Sequence, residues 1–177
     1  MNPKAKGSSF ERAVCKALSL WISSGEREDL FWRSAMSGGR STVAAKGGTK
    51  LNAQCGDITS VDPLGNVLTD DCYFECKHLK RCSLDDLVKD NFGRDALPVI
   101  WGKACREADK YNNRHPVLIF RQNRWPTMVC MGRPGVDFFG AQEQVLVSAR
   151  PYGMCFVRLD DLIAKPFRGL AVRRKRK

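Results

Sequence analysis

Three charged side chains in two short apolar segments have the types and spacing of a catalytic site. Asp57 lies between Gly56 and Ile58, and after seventeen intervening residues Glu75 and Lys77 form a Glu-x-Lys pattern. Because side chains alternate between the two faces of a strand, Glu75 and Lys77 point the same way. If the strand with Asp57 pairs alongside, two carboxylates and one ammonium meet at one point. Such carboxylates hold Mg²⁺ and the lysine orients or deprotonates a water, which is the chemistry of phosphodiester hydrolysis.

The elements that must position these residues follow from hydrophobic periodicity. Apolar residues at helical spacing predict an amphipathic helix over 8–23, with Ser8 and Glu11 in a capping-box pattern. A second helix is predicted over 98–111. Strands are predicted over 30–35, 56–61, 72–78, 116–120, 127–131 and 154–159, a turn at 62–66, a short helix opening at 83–87 and a helical turn at 160–164. This order favours an α/β fold in which helices flank a small mixed β-sheet.

The composition indicates a globular chain with a polyanionic partner. The chain has 177 residues, of which 43% are hydrophobic, and its formal net charge is +11. A basic excess of this size is typical of proteins that bind nucleic acid. No apolar run reaches the roughly 18 residues that suggest a membrane span, so no membrane association is expected. No apolar region follows the basic N-terminus, so no secretory signal is expected either.

The eight cysteines favour a reducing, cytoplasmic location. Five lie in apolar patterns, as small buried hydrophobic residues do: Cys15, Cys76, Cys105, Cys130 and Cys155. The alternative is a zinc site in the segment that holds Cys72, Cys76, His78 and Cys82. This segment lacks a Cys-x-x-Cys pair, and its donors are spread too far along one strand to chelate one ion easily.

Several motifs occur in an order that resembles a known group of enzymes. They are Glu11-Arg12 in the first helix, the run from Arg33 to Ser37, Asp57, Glu75 with Lys77, and the apolar strand 116–120 followed by Trp125. This set resembles the PD-(D/E)xK, or restriction-endonuclease-like, nuclease superfamily. Within it, the chain is most similar to the archaeal-type Holliday junction resolvases and related phage nucleases. The resemblance implies a restriction-endonuclease-like core.

The resemblance also sets the expected domain organisation. A nuclease domain is predicted over 1–132, followed by a C-terminal extension over 133–177 that ends in a basic tail. Two further features depart from the superfamily pattern. Gly56 stands where proline is usual, and the basic loop from 38 to 55 is longer than usual. The tail from Arg173 is expected to be a disordered electrostatic tether.

The resemblance implies roles for individual residues. Glu11, Asp57, Glu75 and Lys77 would be catalytic. Asp57, Glu75, the backbone carbonyl of Cys76 and, directly or through water, Glu11 would hold Mg²⁺, with Mn²⁺ as a substitute. Lys77 would position the water and stabilise charge on the phosphate. Contacts with DNA phosphates are expected from Arg12, Arg33, Ser37, Lys46, Lys50 and Lys80.

Each of these residues also has a purely structural interpretation. Glu11 could only close the capping box, and Asp57 could only end a strand. Glu75 and Lys77 could form an ion pair on a solvated sheet face, and Arg33 could be a surface charge. The large aromatic residues Trp21, Trp101 and Trp125 are expected in the core rather than as platforms for base stacking.

We therefore predict a Mg²⁺-dependent DNA endonuclease that acts on branched DNA, in recombination or repair. A homodimer is expected because two opposed cuts in a four-way junction need two sites at a fixed separation. The resemblance to phage nucleases suggests a phage-encoded protein in a host cell. One alternative is a nuclease for linear duplex or DNA ends. The other is a non-catalytic nucleic-acid-binding module on a degenerate nuclease fold.

Overall fold

A computed structural model of the chain describes residues 3–34, 56–81, 87, 93, 96–111 and 115–167. Several predictions fall outside these residues and concern Ser37, Lys46, Lys50, Cys82, the helix opening at 83–86 and the basic tail. Within the described part of the chain, no helix is long and apolar enough to cross a membrane.

The described residues form five α-helices and seven β-strands. The helices are α1 Pro3–Ile22, α2 Asn66–Thr69, α3 Leu97–Lys110, α4 Arg133–Phe139 and α5 Leu159–Ile163. The strands are β1 Phe31–Arg33, β2 Ile58–Ser60, β3 Cys72–Leu79, β4 His115–Gln122, β5 Met128–Met131, β6 Val147–Ala149 and β7 Met154–Arg158. The predicted α/β fold, with a mixed sheet flanked by helices, is confirmed.

The main sheet has five strands in the order β3-β4-β5-β7-β6. β3 and β4 are parallel, and the chain between them contains α3, as a parallel connection requires. The other neighbouring strands are antiparallel. β1 and β2 form a separate antiparallel pair. Because β3 and β4 run in the same direction, their carboxyl ends meet at one edge, where Lys77 lies beside Phe120 and His78 beside Arg121.

The two faces of β3 pack against different helices. Phe74 and Cys76 are buried in one hydrophobic cluster with the apolar face of α1. That face comprises Phe10, Val14, Leu18, Trp21 and Ile22. On the opposite face, Tyr73 packs against Ala104 and Ala108 of α3. By strand alternation, Glu75 and Lys77 share the face of Tyr73.

The segment after residue 132 completes the same sheet. β7 pairs with β5, and β6 pairs with β7. The end of this segment also holds α1, because the indole N–H of Trp21 donates to the Lys165 carbonyl at 2.6 Å and Phe167 packs edge-on against the same ring. The domain boundary at 132 stays a prediction. Residues 133–167 share a sheet and a core with the predicted nuclease domain.

Some local predictions were wrong. α1 begins at Pro3, so Ser8 lies inside the helix and cannot be its N-cap. Trp125 is 48% exposed rather than in the core, because it lies in a turn that projects beyond the sheet. Trp21 and Trp101 are buried as predicted. The helices α2 and α4 and the strand β6 were not predicted.

The cysteines behave largely as small hydrophobic residues. Cys15, Cys76, Cys130 and Cys155 are buried, and Cys105 is half-buried. All five are free thiols. Burial is the main reason why the pKa of Cys15 rises to about 12, so this thiol stays protonated and inert at neutral pH.

Candidate active site

Asp57 is attached to the outer edge of β3 by two hydrogen bonds. Its backbone N–H donates to the Phe74 carbonyl at 2.7 Å. Its carboxylate oxygen Oδ2 accepts the backbone N–H of Cys76 at 2.8 Å. The predicted pairing is therefore present: the segment that carries Asp57 lies directly beside the strand that carries Glu75 and Lys77. On the other side of this segment, the Ser34 N–H donates to the Asp57 carbonyl at 2.8 Å.

Gly56 allows this close approach. It forms an isolated parallel bridge with Phe74, and its φ of +84° lies in the left-handed region that favours glycine. A Cβ at this position would overlap the Phe74 carbonyl oxygen. Proline, with φ fixed near −65°, could not adopt this conformation. The backbone conformation at this position thus explains why glycine stands where the superfamily usually has proline.

Glu75 is held by a neighbour on each side along β3. Its Oε1 pairs with the Lys77 ammonium at 2.5 Å. Its Oε2 accepts the Tyr73 hydroxyl at 3.2 Å. Glu75 is 8% exposed and Lys77 is half-buried. Tyr73, Glu75 and Lys77 lie on one face of β3, because alternate residues of a strand point the same way. The two neighbours therefore hold the Glu75 carboxylate in one orientation.

The negative charges of Asp57 and Glu75 repel each other in this site. Burial, followed by the negative charge of Glu75, raises the pKa of Asp57 to about 6, although the Cys76 N–H and the charge of Lys77 oppose the rise. Burial alone would lower the pKa of Lys77, but the charges of Glu75 and Asp57 raise it overall. The ammonium therefore remains charged at neutral pH, while the buried carboxylates carry a repulsion that a bound cation would relieve.

Glu11 lies beside this group on α1. Its Oε2 accepts the Arg33 Nε–H at 2.9 Å, in a largely buried ion pair that joins α1 to β1. Its negative charge contributes to the raised pKa of Asp57, which places it within electrostatic range of the site. The structure therefore brings Glu11 near Asp57, with Arg33 as its direct partner. The proposed roles of Glu11 at a metal and of Arg33 at a phosphate stay predictions.

The carboxyl end of β3 is surrounded by positive charge. Burial and the charges of Lys6 and Arg121 lower the pKa of His78, and Arg121 lies beside His78 in the β3–β4 pair. Lys80 follows β3 and is exposed, and Arg12 is exposed on α1. A polyanion that approached the carboxyl end of β3 would meet Arg121 and Lys80.

A comparison with protein families identifies the group to which these features belong. The model of a family described as "Phage putative PDDEXK endonuclease" matches residues 2–148. The chain belongs to this family. The predicted PD-(D/E)xK superfamily is thereby confirmed, and endonuclease is the activity that the family name gives. No curated protein and no solved structure matched the chain significantly.

The donors fit the hard divalent cation that PDDEXK nucleases use. Asp57 and Glu75 supply carboxylate oxygens, and an ionised carboxylate has lone pairs beyond those used in the bonds above. The N–H and C=O of one strand residue point to the same side, so the Cys76 carbonyl faces the same edge as Asp57. Oxygen ligands of this kind suit Mg²⁺. Among the described residues, no three His, Cys, Asp or Glu side chains are grouped to hold a metal ion.

Sequence reasoning missed Tyr73 in this candidate site. Burial and the charge of Glu75 raise its pKa, so the phenol stays protonated and remains a donor. The signal was available in the sequence, because Tyr73 precedes Glu75 by two residues and therefore shares its strand face. Its burial against α3 could not be predicted from that spacing.

Proposed function

We propose that this protein is a Mg²⁺-dependent DNA endonuclease that hydrolyses phosphodiester bonds in branched DNA. The observation that supports it best is the convergence of Asp57, Glu75 and Lys77 around the Cys76 peptide at the outer edge of β3. Two crowded, buried carboxylates beside a charged lysine lower the stability of the fold. Metal-assisted hydrolysis needs this combination of groups.

Asp57, Glu75, the Cys76 carbonyl and Glu11 would hold Mg²⁺, or Mn²⁺ in its place. When bound, the ion neutralises charge on the phosphate and lowers the pKa of a coordinated water. The Cys76 N–H keeps the Asp57 carboxylate against β3, and the Tyr73 hydroxyl fixes Glu75. These contacts orient both carboxylates before substrate arrives.

Lys77 would act on the substrate itself. Its ammonium is charged at neutral pH and stands beside Glu75, where it orients the attacking water and stabilises charge that builds on the phosphate oxygens. In-line attack of the water breaks the P–O3′ bond. The products are a 5′-phosphate and a 3′-hydroxyl.

DNA would be held through phosphate contacts near this edge. Arg12 and Lys80 are exposed, so a phosphate can reach them. Arg33, which is ion-paired with Glu11, would bind a further phosphate. Ser37, Lys46 and Lys50 are proposed from the sequence alone. Two opposed cuts in a junction would require a homodimer with two such sites.

The test is cleavage of end-labelled four-way-junction, Y-fork and linear duplex DNA in Mg²⁺, Mn²⁺ or EDTA. Glu75→Gln and Lys77→Ala are compared with wild type, and Lys103→Ala, an exposed residue of α3, is the matched control. Metal-dependent paired cuts in the junction, lost in both site variants and kept in the control, are expected.

Other outcomes would refute parts of the proposal. Equal cleavage of linear duplex would keep the nuclease and remove the preference for branched DNA. Binding without cleavage under either metal, unchanged in both site variants, would refute the enzyme and favour a DNA-binding module.

A further inference from the structure

The turn between β4 and β5 exposes a tryptophan among arginines. Trp125 is 48% exposed, Arg124 next to it in the turn is exposed, and Arg121 is exposed near the end of β4. The backbone N–H of Trp125 donates to the Gln122 carbonyl at 3.0 Å, which closes the turn. Within the described part of the chain, neither arginine makes an ion pair. An aromatic ring and unpaired cations at this end of the β4–β5 hairpin suit a ligand with both π faces and negative charge.

The backbone of this turn is unfavourable for the residue that it carries. Arg124 has φ +66°, in the left-handed region where glycine is adopted without steric cost. Arg124 is exposed, so burial of its side chain does not offset this cost. Strained positions of this kind are concentrated at sites of function, so the side chain of Arg124 is where a role should be sought.

The turn lies at the same edge of the sheet as the proposed catalytic lysine. β3 and β4 are parallel and both end there, with Lys77 beside Phe120. At about 3.3 Å per strand residue and about 4.8 Å between strands, Trp125 lies on the order of 10 Å from Lys77. At about 3.4 Å per nucleotide along one strand, this corresponds to roughly three nucleotides from the scissile phosphate.

We propose that Trp125 stacks on an unpaired base close to the scissile phosphate and that Arg124 binds the neighbouring backbone phosphate. This inference rests on the proposed function, which supplies DNA as the ligand, and it adds the feature of the DNA that is recognised. In an intact duplex the faces of each base are covered by its neighbours. Away from the duplex ends, only a gap, a flap or a branch point leaves a base face open to an aromatic side chain.

The test measures binding rather than cleavage, so it is independent of the catalytic proposal. Fluorescence anisotropy in EDTA compares a labelled duplex that has a short unpaired gap with the same duplex fully paired. The variants are Trp125→Leu, Trp125→Phe and Arg124→Gly, with Arg133→Ala as the matched control. Arg133 is an exposed residue at the opposite end of the sheet. Thermal unfolding of each variant verifies the fold, and Arg124→Gly should be at least as stable as wild type.

Trp125→Leu should weaken binding to the gapped DNA on the order of tenfold and leave the paired duplex unchanged, whereas Trp125→Phe should keep most of the affinity. Arg124→Gly should weaken both DNAs alike and reduce the salt dependence by about one phosphate contact. Equal loss on both DNAs in Trp125→Leu, no loss at all, or a loss in Arg133→Ala equal to that in Arg124→Gly would overturn the inference. These binding results do not depend on whether Lys77→Ala abolishes cleavage, so the two proposals can fail independently.

Discussion

Replacing Asp57 with asparagine should stabilise the metal-free fold and abolish its proposed activity. Burial and the charge of Glu75 raise the pKa of Asp57 from 3.8 to about 6. Ionisation of this residue therefore costs folding free energy in the absence of metal. The asparagine side chain would keep an acceptor for the Cys76 N–H but would carry no charge.

The size and pH range of the effect follow from this shift. A shift of about two units corresponds to roughly 3 kcal/mol at about 1.4 kcal/mol per unit. Because the folded pKa is raised, the folded state binds more protons, and the contribution of Asp57 to stability falls as pH rises between about 4 and about 6. Asp57→Asn should gain up to about 3 kcal/mol above about pH 6 and nothing below about pH 4.

Urea unfolding in EDTA at about pH 4 and about pH 7.5 measures this gain. The matched control is Asp109→Asn, an exposed residue of α3, for which we expect a change within about 0.5 kcal/mol at both pH values. An Asp57→Asn variant that is no more stable than wild type at the higher pH would refute the argument. So would an equal gain at both pH values, because charge crowding would then not be the cause.

Tyr73→Phe should cost about 1 kcal/mol of stability and slow cleavage on the order of tenfold, because Glu75 loses a donor; an unchanged cleavage rate would contradict this role. Gly56→Ala should cost more than about 2 kcal/mol in urea unfolding, because its Cβ overlaps the Phe74 carbonyl, whereas Gly7→Ala in α1 meets open space and should gain up to about 1 kcal/mol. Mg²⁺ should raise the melting temperature of wild type and not of Glu75→Gln; equal shifts would show that the ion binds elsewhere.

The prediction of the fold was accurate where local periodicity carries the information. Helix α3 and strand β3 were predicted within one residue of their observed bounds and strand β4 within two, because each buries one face or both in the core. The short elements α2, α4 and β6 were missed. No apolar pattern marked these short segments, and tertiary contacts stabilise them instead.

Trp125 shows how a rule for burial fails at a specific site. Large aromatic residues are usually at least partly buried, and from sequence alone Trp125 was expected in the core. The turn extends beyond the end of the sheet, so nothing in the described structure covers half of the ring. The size of a side chain predicts burial only where the fold supplies a surface to pack against it.

The sequence by itself determined which side chains share a face. The alternation of a strand is a local property, so the common orientation of Glu75 and Lys77 could be deduced from their spacing, and the ordered motifs indicated the nuclease superfamily. The tertiary structure alone decided the partners. The bond from Cys76 to Asp57 spans 19 positions and the pair of Arg33 with Glu11 spans 22, so both depend on how distant segments pack. Packing and close backbone approach are cooperative properties of the whole chain, and no local pattern encodes them.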